Sequence, residues 1–93
     1  MAKGDLTISR SLGAPQAGVP TYWVAFVGQD AGEHLKGAQP CRGEVELGNF
    51  LRELGMMDEE ITRILEEVRV FARATTGEIE ISEKMLGRYW PKA

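Results

Sequence analysis

One cysteine, one histidine and no long apolar run set the first limits on this chain. With Cys41 alone, no internal disulfide can form, and a reducing, intracellular setting is expected. No stretch approaches the roughly 18–20 apolar residues that cross a bilayer. The opening MAKGDLTISR has no apolar segment of signal-peptide length, so no export signal is expected either. The expectation is a cytoplasmic protein that neither enters nor spans a membrane. Paired cysteines or histidines a few residues apart, the usual mark of a zinc site, are missing. So are the glycine-rich patterns G-x-G-x-x-G and G-x-S-x-G. GAPQAGVP has two glycines but lacks the Lys and Ser/Thr of a phosphate cradle.

Basic clusters are also scarce. Residues 1–43 carry four bases and three acids, residues 44–71 three bases and eight acids, and residues 72–93 four bases and three acids. The net charges are +1, −5 and +1, so the acidity is concentrated in the middle of the chain. What remains is an ordinary globular composition, 43% hydrophobic and 27% charged, at a length that suits one domain, residues 1–93.

DLTISRSL alternates, with Leu6 and Ile8 set against Thr7 and Ser9, which predicts a strand with one wet face. After the Gly/Pro loop GAPQAGVP, TYWVAFVG is almost continuously apolar and rich in aromatic and β-branched residues. That predicts a strand covered on both sides, at the centre of the sheet. QDAGEHLKGAQPCRG has no period and reads as a long loop. From Leu47 the helical period takes over: Leu47, Phe50, Leu51 and Leu54 share one face of a helix that starts just after Val45. Gly55 suits a left-handed stop, and Asp58 suits the N-cap of a second helix. In that helix Ile61, Ile64, Leu65, Val68, Phe71 and Ala72 form one stripe, and ATTG closes it at Gly77. EIEIS predicts a third strand. Ser82 caps a short final helix with Met85, Leu86, Tyr89 and Trp90 on one face, stopped by Pro91.

The expected fold is α+β, a three-stranded mixed sheet in the order β-β-α-α-β, with a helical hairpin on one face and a short C-terminal helix. The third strand is expected parallel to the second and beside it, through a right-handed crossover.

In outline, Leu47–Glu66 resembles the bacterial helix-turn-helix, with Phe50, Leu54, Met56, Ile61 and Ile64 at apolar positions and Gly55 at the turn. Two features depart from that pattern. Leu51 stands where a small residue lets the helices cross closely, and the second helix opens with Asp58, Glu59 and Glu60. Those acids would face phosphates, whose binding depends on Lys and Arg displacing counterions. No direct nucleic-acid binding is expected.

Asp30, Glu33, His34 and Cys41 are all potential metal ligands, but their spacing fits no zinc site, so no metal and no cofactor are expected. His34 and Cys41 also define one alternative, a small enzyme or metal site, although no orienting partner or activated thiolate is evident. The adjacent pairs Glu59–Glu60 and Glu66–Glu67 diverge by roughly 100° on a helix and suit a solvated face better than an acid/base couple. No catalytic residue is assigned.

Function is expected on a surface. Two helices cover one side of the sheet, leaving an apolar ridge from the second strand, either Tyr22, Val24 and Phe26 or Trp23, Ala25 and Val27. Either another molecule or the tail with Tyr89 and Trp90 would cover it. On the second helix, Glu59, Arg63, Glu66 and Val70 form the other candidate contact. The leading expectation is a non-catalytic module that docks a protein or its own copy as a homodimer. The runner-up is an acidic inhibitor that occupies the nucleic-acid-binding site of a partner enzyme, of the phage or mobile-element antagonist type.

Overall fold

The computed structural model describes residues 2–11, 21–28 and 38–90. Among these, the elements run β1 (Ala2–Arg10), β2 (Tyr22–Gly28), β3 (Gln39–Cys41), α1 (Glu44–Glu53), α2 (Asp58–Phe71), β4 (Arg73–Ile81) and α3 (Glu83–Tyr89). The α+β class and the helical hairpin are as expected, but the sheet differs. It has four strands in the order β3-β2-β1-β4, and every neighbouring pair is antiparallel. The last strand therefore lies beside β1 rather than parallel to β2, and β1 shares the centre of the sheet.

Two local features account for the altered sheet. Pro40 lacks a backbone donor, so a strand containing it must lie at an edge. Here β3 is such an edge, pairing Cys41 with Tyr22 and Pro40 with Trp23. It lies within the stretch that read as loop. The second feature is the exit from α2. The helix stops at Phe71, because Ala72 adopts the left-handed conformation at φ 61° while its N–H still bonds the Val68 carbonyl. That region is where glycine is usually needed, and an alanine gives no sequence signal of it. The chain then turns directly into β4, so Arg73–Gly77 belong to the strand and not to the helix.

Gly77, instead of ending a helix, serves a β-bulge. Asp5 pairs with Glu78 and Thr7 with Thr75, so Leu6 alone faces both Thr76 and Gly77. Gly77 takes φ 76° there, and the Thr76 hydroxyl accepts the Leu6 N–H at 3.0 Å, replacing the ladder bond the bulge removes. Gly4 is constrained differently. A Cβ at this position would lie against the Val27 carbonyl oxygen and 2.7 Å from Phe26 Cζ, so the close approach of β1 to β2 requires glycine.

Alternation places Leu6, Ile8, Tyr22, Val24, Phe26, Ala74 and Ile81 on the inner face, in one core with Leu47, Leu51, Ile61, Ile64 and Val68 of the helical hairpin. Met57, not Asp58, occupies the N-cap of α2, and Asp58 instead accepts a bond from Arg52 Nε at 3.1 Å. Gly55 turns the chain at φ 99°, and Ser82 caps α3 by accepting the Met85 N–H at 3.2 Å. Phe71, expected in the buried stripe, is 73% exposed because α2 ends there.

The tail settles on the inner side. Trp90 is 1% exposed, and its ring centroid lies 5.9 Å from Phe26 and 5.7 Å from Phe50. Its indole N–H donates to the Val24 carbonyl at 3.0 Å, opposite the end of β3. All three described helices therefore pack on one face of the sheet.

Candidate docking surface on the open face of the sheet

The registers determine the opposite face row by row. Pro40, Trp23, Ser9 and Arg73 form one row across the four strands. Ala25, Thr7 and Thr75 form the next, then Val27, Asp5 and Glu78, and finally Lys3 and Glu80. Along β2 runs an apolar column, Trp23, Ala25 and Val27. Hydroxyls occupy the centre, and charges border the β4 side. Trp23 is 38% and Val27 57% exposed. The indole of Trp23 donates to Ser11 Oγ at 3.1 Å, which fixes the ring on the surface. Lys3 and Glu80 pair at 3.7 Å along the lower border.

This arrangement resolves the choice between the two sets on β2. Trp23, Ala25 and Val27 face outward; Tyr22, Val24 and Phe26 are core residues. The tail aromatics are not on this surface either. Trp90 is buried on the inner side, and the Tyr89 hydroxyl donates to Glu53 Oε1 at 2.7 Å. Arg73 and Pro40 belong to the face but are invisible in a reading that begins the last strand at Glu78 and leaves β3 as loop.

No protein-family model, curated protein or solved structure matches the chain.

On α2, Glu59, Arg63, Glu66 and Val70 are all exposed. Arg63 is held by Glu67 at 2.8 Å, one turn along. Val70 stands at 72% exposure without an apolar neighbour of its own within that set, as an isolated surface valine commonly does. A shallow groove of about 420 Å³ runs between α1 and α2, lined by Gly48, Arg52, Asp58, Ile61 and Leu65 among others. Its charges are already paired: Glu44 with Arg69 at 2.5 and 2.6 Å, and Arg52 with Asp58 at 3.0 Å. The hydrogen bond from Arg69 holds the Glu44 carboxyl below its ordinary range. Such a groove has little left with which to grip a polar ligand.

Cys41 is 1% exposed, and burial, with a smaller effect of Glu46, pushes its thiol up to about 11. An activated nucleophile needs the reverse, a thiolate favoured by nearby positive charge. Asp30, Glu33 and His34 lie outside the described residues. Among the described residues no three potential ligands cluster as a metal site, and no helix is long and apolar enough to cross a membrane.

Proposed function

We propose that the protein is a non-catalytic binding or regulatory module that docks a protein on the open face of its sheet. One observation carries this reading: every described helix, together with Trp90, packs on the inner face, while on the outer column Trp23 is 38% and Val27 57% exposed. An apolar strip with a polar and charged border is the usual composition of a contact patch. The buried, proton-retaining thiol of Cys41 supports the non-catalytic part of the reading, and an unpaired cysteine supports a reducing cytoplasmic setting.

The exposed acids that open α2 favour a second reading, the acidic inhibitor of a nucleic-acid-binding enzyme. Capture with three immobilised forms of the chain separates the two. The wild type, Trp23→Glu/Val27→Glu and Glu59→Lys/Glu66→Lys are each exposed to lysate and to a second, differently tagged copy. Loss of a specifically bound protein with the first variant and retention with the second is the expected result. The opposite pattern replaces the open face with α2.

A further inference from the structure

We infer that the occupant of the open face is a second copy of this chain, held about a two-fold axis perpendicular to the strands and passing through the row Ala25–Thr7–Thr75. This rests on the docking reading above and adds the partner and the register. Rotation about that axis lays each strand over its own copy in the reverse direction. The middle row meets itself: Ala25 on Ala25, Thr7 on Thr7 and Thr75 on Thr75. The rows on either side exchange, so Trp23 lies over Val27, Ser9 over Asp5 and Arg73 over Glu78, each pair occurring twice.

Three properties of the face make it complementary to itself in this register. Small side chains sit on the axis, where two sheets must approach to about 10 Å, while the indole lies to one side against a valine. In the two exchanging rows each charged or hydroxyl-bearing group meets an acceptable counterpart: a guanidinium meets a carboxylate, and a hydroxyl meets a carboxylate. The third property concerns repulsion within one chain. Asp5 and Glu78 stand directly across from each other on adjacent strands, and like charges so placed are unfavourable. Arg73 of the second copy arrives over that pair. Glu78 also has an interaction within its own chain, to which this contact is added.

The patch is small. Four strands at roughly 4.8 Å spacing and about 20 Å of length give roughly 400 Å² per copy, half of the roughly 800 Å² per partner of a standard stable complex. The pairing is accordingly transient and concentration-dependent.

The test is sedimentation or light scattering of the full chain over a concentration series, with thermal melts confirming that each variant folds. The wild type should pass from monomer to dimer as concentration rises. Arg73→Glu alone and Glu78→Arg alone should each weaken self-association about tenfold or more, because each variant sets like charges against each other twice. An equimolar mixture of the two should restore it, since every contact then joins a base to an acid. Ala25→Glu, which places two carboxylates on the axis, should abolish it. A wild type that stays monomeric at millimolar concentration overturns the self-pairing but leaves the docking face to the capture comparison. A dimer indifferent to all these changes also overturns the self-pairing, because its contact must then lie elsewhere, and it too leaves the docking face to the capture comparison.

Discussion

Cys41 shows how position in the fold decides what a side chain can do. The sequence offers it as a nucleophile or ligand, yet β3 turns it into the core beside Tyr22, and burial keeps its proton on. The thiol rises from 9.0 to about 11 in the folded chain, so folding favours the neutral form. Its contribution to stability is whole below pH 9 and is lost as pH climbs toward 11, because the unfolded thiol ionises first. Burial and Glu44 push the Tyr22 hydroxyl up as well, which steepens the same alkaline loss. Urea midpoints should therefore fall between pH 9 and pH 11, and Cys41→Ala should flatten part of that fall. At pH 8 a disulfide reagent should label the native thiol far more slowly than the urea-unfolded one. Fast native labelling would mean that the thiol is reachable and would return Cys41 to the list of reactive groups.

At the scale of elements, long periodic segments were legible and short or strained ones were not. The stripe Leu47–Phe50–Leu51 and the stripe Ile61–Ile64–Val68 both face the core as their spacing requires, and β1 alternates as read. What escaped was determined by contacts distant in sequence. The left-handed Ala72 is held by its bond to Val68 and by β4 pairing against β1, neither of which a local pattern contains. Three-residue β3 has no period to detect, and Pro40 argues against a strand until its place at the edge is known. Side choice for the tail was equally illegible: Met85, Leu86, Tyr89 and Trp90 look the same from sequence whichever face they cover. The structure places Trp90 among Phe26, Phe50 and Tyr89, with its indole bonded to the Val24 carbonyl. Trp90→Ala should cost about 3–5 kcal/mol, a large share of the roughly 5–15 kcal/mol that holds a domain together. Chemical denaturation should show this as a lower midpoint. A loss under about 1 kcal/mol would mean that α3 is loosely attached and free to move to the other face.

For the molecule as a whole, the governing fact is that the described helices all pack on one face of the four-stranded sheet. The sequence showed the imbalance as a strand apolar on both sides, and identified its outer candidates only as one of two sets. Choosing between them needed the register, because a shift of one residue would exchange Tyr22, Val24 and Phe26 for Trp23, Ala25 and Val27. The same strand supplies a direct check on the choice. Val24 and Val27 share residue type and strand, but Val24 is fully buried and Val27 is 57% exposed. Threonine has nearly the shape of valine and differs chiefly by a hydroxyl in place of a methyl. At position 24 that hydroxyl loses water and finds only apolar neighbours, at a cost of about 1–3 kcal/mol. At position 27 it stays wet, and the change should fall within about 0.5 kcal/mol of neutral. Both values are to be taken from urea unfolding at low micromolar concentration, where self-pairing is dissociated and only the monomer is measured. If Val27→Thr proves as costly as Val24→Thr, something in the monomer already covers the outer face, and that surface is no longer open to a partner.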